Sequence, residues 1–249
     1  MWSITCARRS MHQAMDTDIT CPRTFECSGN RTSFDIGRIP SYIAITSSCF
    51  SCLGSLLIIF VYLTLKDMRT GAQKIITLLA IADFFTASGH IVGSTNYLVH
   101  FNDTNQKSCG VFEIICEIQS FVSTWSSMCS YCWTCILAFY FLLVLVYNKA
   151  SLAGRLIPLY NIIAWLSPLT IVIPLLATGK LGYAPYAAST WCFIKDSTYS
   201  SNVTKLPDKH LTVVLVLLAG QLWQMITYLL VLTVYMVIRG SISKVCIPC

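Results

Sequence analysis

Charge is what this sequence has least of. Lys, Arg, Asp and Glu together make up 11% of its 249 residues, less than half of the about 25% usual in soluble domains. With 55% hydrophobic residues and a mean hydropathy of +0.65, the chain has too few charges to cover a water-soluble surface, which places it in the membrane class. Blocks of like charge are missing too. The formal net charge is +6, but the bases are scattered between apolar runs, so no nucleic-acid partner is expected.

Catalytic signatures are also lacking. There is no HExxH, no GxSxG and no phosphate-cradling glycine loop. The four histidines, His12, His90, His100 and His210, are far apart. Glu113 and Glu117 stand one helical turn apart with no evident third ligand, so neither a metal nor a cofactor is expected, and the chain does not read as an enzyme. Strict alternation is absent, which argues against a membrane barrel. No internal repeat appears, which removes the inverted-repeat signature of transporters. MWSITCARRSMHQAMDTD has no apolar stretch before its charges, so the first long apolar run is expected to act as the targeting segment.

What is present is apolar length. A membrane-spanning helix needs about 20 apolar residues, and five segments supply them: 39–65, 75–98, 114–147, 156–177 and 211–238. Of these, the stretch from Ile118 on in the third is uncharged, and the second carries one acid, Asp83. The fold class expected is all-α, a polytopic membrane helix bundle. Sequons at Asn30, Asn102 and Asn202 fall before span one, between spans two and three, and between spans four and five. All three lie on one face of such a bundle, and glycosylation needs that face outside. The connections 66–74 and 148–155 and the end 239–249 hold seven bases, among them Lys66, Arg69, Lys74, Lys149 and Arg155, against one acid, Asp67. Base density therefore also favours an extracellular N-terminal tail (1–38) and a cytoplasmic C-terminal end (239–249).

Cysteine is abundant, at 13. Cys49, Cys52, Cys116, Cys129, Cys132 and Cys135 sit in apolar runs and read as packing residues. Cys109 in outer loop 99–113 and Cys192 in outer loop 178–210 are on the oxidising side and read as a disulfide, with two unpaired thiols as the alternative. The pairing of Cys6, Cys21 and Cys27 is not readable.

Polar residues recur at helical spacing. Glu113, Glu117, Ser120, Thr124, Ser127, Tyr131 and Thr134 share one face of span three. Asp83, Thr86, His90, Ser94 and Tyr97 do so in span two. Gln221, Gln224 and Tyr228 in span five and Asn161 in span four add to them. Such faces turn from lipid toward neighbouring helices or water. Glu117, Ser120, Thr124, His90, Tyr97 and Gln221 are the candidates for a ligand cavity. Interhelical hydrogen bonds are the alternative, weighed equally for the Ser and Thr positions. Asp83 reads as a structural or switching acid, with a transported-ion site as the alternative.

These residues resemble a G-protein-coupled receptor. The outside tail, the bridge from span three to the second outer loop, the basic inner loops and the acid in span two all match. Trp165-Leu166-Ser167-Pro168 resembles the W-x-x-P of secretin-like and slime-mould cyclic-AMP-type receptors, which gives Trp165 and Pro168 a structural or switching role. Trp191-Cys192-Phe193-Ile194 and GQLWQMITYLLVLTVYMVIRGSI, from Gly220, are similar to an orphan branch of that group. The resemblance covers 41–242 and implies five helices of a seven-helix receptor fold. It also implies a plasma-membrane or ciliary receptor, an unknown extracellular ligand and the lipid bilayer as solvent. A heterotrimeric G protein at the cytoplasmic face would meet Lys66, Arg69, Lys74, Lys149 and Arg155, and a full-length receptor is a further implied dimer partner.

There are departures from the pattern. LVYNKASLAGR follows span three where a rhodopsin-like receptor carries an acidic-Arg-Tyr triplet. The tail is too short for a hormone-binding domain, so a small or membrane-borne ligand, or none, is expected. After Ile238 the chain reads RGSISKVCIPC, before any sixth or seventh helix, so the expectation is a truncated or fragmentary, weakly signalling form. The terminal Cys246-Ile247-Pro248-Cys249 formally fits a prenylation box but carries a proline within it. A multi-pass transporter or channel subunit is the rival class.

Orientation is tested by glycosidase-sensitive mobility with Asn30, Asn102 and Asn202 each changed to Gln. Loss of a sugar-dependent shift in Asn202→Gln is the expected result. A bare Asn202 on a surface-exposed chain with Asn30 modified contradicts the orientation or the span count.

Overall fold

The computed structural model describes residues 31–65, 70–102, 109–182, 191–194 and 209–246, with only the backbone at 31–38, 100–102, 109–110, 209–212 and 244–246. Five helical spans long and apolar enough to cross a membrane run Ile39–Thr64, Gly71–Val99, Val111–Val146, Ala150–Ala177 and Val213–Ser243. The shortest, at 26 residues, is about 39 Å long at a rise of about 1.5 Å per residue, enough for a hydrocarbon core of about 30 Å. Lipid offers the backbone no hydrogen bonds, so each span closes its own as a helix. The fold is the expected all-α bundle.

Helix α1 is Arg31–Thr64 and α2 is Gly71–Asn102. Helix α3, Cys109–Phe141, runs into a π-helical turn, Leu142–Val146. The fourth span is two helices, α4 (Ala150–Leu166) and α5 (Leu169–Ala177). A two-stranded hairpin follows, with β1 (Leu181–Gly182) antiparallel to β2 (Phe193–Ile194) and Leu181 opposite Ile194. The fifth span is α6 (Lys209–Val216), a π-helical turn (Leu217–Gln221) and α7 (Leu222–Cys246).

Local chemistry explains the breaks. Helix α2 opens with a capping box: Gln73 N–H donates to Thr70 Oγ1 at 3.3 Å, and Thr70 N–H donates to Gln73 Oε1 at 3.0 Å. Asn148, at φ +53°, makes the tight turn from span three to span four, a left-handed position that Asn tolerates. Pro168 has no N–H and interrupts the fourth span between α4 and α5. At that break the carbonyl of Trp165 accepts the indole N–H of Trp125 on α3 at 3.1 Å. Trp165 and Pro168 thus lie at a break in the fourth span that is tied to span three.

The tightest seam joins α2 to α3. Ser130 Oγ–H donates to Asp83 Oδ1 at 2.6 Å, and Thr86 Oγ1–H donates to Ser126 Oγ at 2.9 Å. Farther along, Gly89 faces Ser123 and Gly93 faces Gln119. Each step of three or four up α2 is matched by a step of three or four down α3, the register of an antiparallel pair. Small residues let backbones approach where lipid supplies no hydrophobic drive between helices. Beside this seam Trp133, Ile75, Ala82, Cys129, Ile136 and Ala164 form a buried core between spans two, three and four. Large apolar side chains stand exposed on α1 (Phe50, Leu57, Phe60) and α7 (Leu229, Leu232, Met236), where the solvent is lipid.

A Cβ at Gly89 would lie 2.9 Å from Ser123 Cβ and 3.4 Å from its Cα, neither of which can swing away. Gly89→Ala is therefore expected to cost about 1–3 kcal/mol by overpacking, read as earlier thermal unfolding in detergent. Gly54→Ala, with nothing within 4 Å of the new Cβ, is the control and should be neutral or slightly stabilising.

Candidate functional site

The face of α3 toward the hairpin begins at Cys116, which is disulfide-bonded to Cys192 with Cα atoms 5.4 Å apart. This corrects the expected Cys109–Cys192 pairing. Helix α3 reaches back to Cys109, and the seven residues from there to Cys116 span about 10 Å of helix. A sulfur that meets Cys116 cannot also meet Cys109. Cys116 lies among Ile114, Ile115 and Ile118, a setting in which the sequence leads one to expect packing. One signal could have found it. Cys116, Gln119, Ser123, Ser126 and Ser130 step by 3, 4, 3 and 4, a second polar stripe beside the one from Glu113 to Thr134.

Gln119 completes the staple. Its Oε1 accepts the Cys192 N–H at 3.2 Å, and its Nε2 donates to Ser123 Oγ at 3.1 Å. Its amide fills the space that Gly93 leaves, where a Cβ would come within 2.7 Å of Gln119 Cδ. On the hairpin's other side Leu181, Ile194 and Phe193 pack with Met128, Val172 and Ala219. The Phe193 ring sits against Gly220 in the π-helical turn of span five. The hairpin is thus clamped between α3, α5 and the fifth span.

This clamping puts Trp191 over α2. Its ring meets the His90 imidazole edge-on, with centroids 4.6 Å apart and planes at 64°. His90 Nδ1, Ser94 Oγ and Thr124 Oγ1 are buried without a hydrogen-bond partner. Ser94 lies one turn from His90, and Thr124 follows Ser123, which packs on Gly89. The hairpin end of spans two and three therefore holds buried polar atoms with unmet hydrogen-bonding capacity.

Several other expected site residues are near this face. Ser120 is buried, donating its hydroxyl to the Glu117 carbonyl at 2.9 Å, and Glu117 and Tyr97 are half-buried. Gln221 is exposed at the end of the π-helical turn, as is Asn161 on α4, and the structure does not bring them to this cluster. Asp83 lies deeper, held by Ser130. Next to it an opening of about 470 Å³ between α3 and α7 is lined by Ser130, Tyr131, Thr134, Thr227, Tyr228 and Tyr235. Lys74, Lys149 and Arg155 are exposed at the opposite end of the bundle. Asn30, Asn202, Lys66 and Arg69 lie outside the described residues, and Asn102 and Cys109 are described by backbone alone.

The polytopic helix bundle is of the rhodopsin type of membrane fold. The structure is similar to squid rhodopsin, with a TM-score of 0.56 and 17% identity over 83% of this chain and 56% of that one. The sequence narrows the class: residues 38–234 match 7 transmembrane receptor (Secretin family), and the chain belongs to that family. It is 27% identical over 204 residues to G-protein coupled receptor 157 of Mus musculus, covering 81% of this chain and 55% of that protein. For the Homo sapiens protein of that name the identity is 26%, over 81% and 54%. Cyclic AMP receptor-like protein A of Dictyostelium discoideum is 29% identical over 155 residues, 61% of this chain and 36% of that one. The chain spans about half the length of the receptor 157 relatives it matches.

Peptide mapping without reduction is expected to recover Cys116 linked to Cys192, unchanged in Cys109→Ser and lost in Cys116→Ser. Recovery of a Cys109–Cys192 peptide contradicts the staple.

Proposed function

We propose that this chain carries the signal-sensing half of a G-protein-coupled receptor, with its N-terminal tail and the Cys192 hairpin outside the cell. The observation that carries this is the hairpin clamp. The Cys116–Cys192 bridge and Gln119 hold Trp191 over His90, beside buried polar atoms that have no partner. A ligand-facing loop needs this kind of fixed seat on an otherwise apolar bundle. On this reading His90, Tyr97, Glu117, Ser120 and Thr124 surround the ligand, and Gln221 is reached only with a shift of the fifth span. Asn30, Asn102 and Asn202 are the glycosylation sites of the outer face.

The opposite end meets the heterotrimeric G protein. Lys66, Arg69, Lys74, Lys149 and Arg155 form its basic contact. Asp83 and Trp165–Pro168 are the switching elements between the two ends. Asp83 does this through Ser130, since a half-buried acid with one hydroxyl partner can trade that partner when helices slide. The polypeptide 1–249 is a weak activator by itself and pairs with a full-length receptor.

Guanine-nucleotide exchange on a co-expressed G protein tests this. A complete receptor carrying these five spans is expected to exchange at least about fivefold faster than the same receptor with Lys149 and Arg155 changed to Ala, within the usual range of coupling energies. Polypeptide 1–249 should stay near background. Ion-dependent uptake into vesicles with no exchange in any form supports the transporter class instead.

A further inference from the structure

We infer that the place filled by the Trp191 indole against His90 is a ligand subsite for a flat, uncharged, hydrogen-bonding ring, with Trp191 as its displaceable occupant. The inference rests on the ligand-sensing reading proposed above and adds the chemistry of what binds.

Three observations converge. First, the two rings meet edge to face at 4.6 Å, the geometry aromatic pairs prefer, so the space beside His90 is already shaped for a ring. Second, the contact leaves polar capacity unused. His90 Nδ1 and, one turn on, Ser94 Oγ are buried without a partner, and Ser94 is 0% exposed. Indole has one donor and no acceptor, and in this pose it serves neither atom. A heteroaromatic ring with both a donor and an acceptor, tilted within the same space so that its nitrogens face the buried atoms, would satisfy them, which Trp191 cannot do. Third, the loop is held beside Trp191 and not through it. The bridge and the Gln119 hydrogen bond both act at Cys192, and Phe193 is packed at Gly220. Trp191 can therefore swing out while its neighbours stay seated.

The ring should be uncharged. The two unpartnered atoms of this subsite belong to an imidazole and a hydroxyl of α2, and neither offers a full counter-charge to an ion taken out of water; the carboxylate of the wider site, Glu117, stands half-buried on α3 and is neither of these atoms. A neutral heterocycle loses little on entering and gains the missing hydrogen bonds.

Benzimidazole is the probe: a flat bicycle of indole's size with one N–H and one acceptor nitrogen, uncharged at neutral to mildly basic pH. Indene is the control of the same shape with neither. The chain in nanodiscs is titrated by ligand-dependent thermal shift, with the Cys116–Cys192 bridge checked by peptide mapping in each variant. Trp191→Ala is expected to bind benzimidazole saturably and about tenfold tighter than the unaltered chain, since the occupant is gone. Trp191→Ala with His90→Phe keeps an aromatic ring and loses the nitrogen, and should bind about tenfold more weakly than Trp191→Ala alone. Indene should show no such dependence on His90. Equal benzimidazole affinity in Trp191→Ala and the double variant overturns the inference. So does an absence of saturable binding to a correctly bridged Trp191→Ala chain. Neither outcome bears on nucleotide exchange, so a failed subsite and a failed receptor reading are told apart.

Discussion

The architecture hangs on the close approach of α2 and α3. Two glycines on one helix and a run of small polar side chains on the other bring the backbones together, and in lipid that approach is the main source of helix adhesion. Asp83 with Ser130 and Thr86 with Ser126 lock the register at one end, and Gly89 and Gly93 against Ser123 and Gln119 lock it at the other. Individual interhelical hydrogen bonds average only about 0.6 kcal/mol, so their main contribution is to register. A polar group displaced from its partner in hydrocarbon has no water to turn to.

Register is what delivers the candidate site. Because Gly93 makes room for Gln119, the Gln119 amide can turn toward Cys192 and receive its N–H. Because Cys116 lies one turn before Gln119, the bridge and the amide grip the same residue of the hairpin from the same helix face. Trp191 then arrives over His90. The fifth span joins through its π-helical turn, which presents Gly220 to Phe193. At the fourth span the Trp125 indole serves a carbonyl at the proline break, so that span too is referenced to α3. Span three is the axis to which the others are set.

The five spans were legible because apolar length is written locally: about 20 uncharged residues suffice, whatever they pack against. So was the resemblance carried by Trp165–Pro168 and Trp191–Ile194. The seam was harder to read. Glu113–Thr134 and Cys116–Ser130 both step by three and four, and periodicity alone does not say which stripe meets span two. The decisive clue lay on the partner helix, in Gly89 and Gly93, four residues apart. Cys116 is hard to recognise for a related reason: its neighbours are isoleucines, and burial by apolar residues looks the same whether a thiol is packed or bridged. The His90–Trp191 contact joins residues about a hundred positions apart, and no local pattern encodes such a pair.

The most direct test of this account is a register measurement across the seam. Thr86→Cys paired with Ser126→Cys, and separately with Ser130→Cys, is oxidised in membranes, and the chain is then cleaved within 103–108. The account predicts that the 86/126 pair stays covalently joined until reduced, while the 86/130 pair, one turn out of register, falls apart. Preferential joining of 86/130 would contradict it, because Gln119 would then no longer stand opposite Gly93 and the seat of the hairpin would be lost.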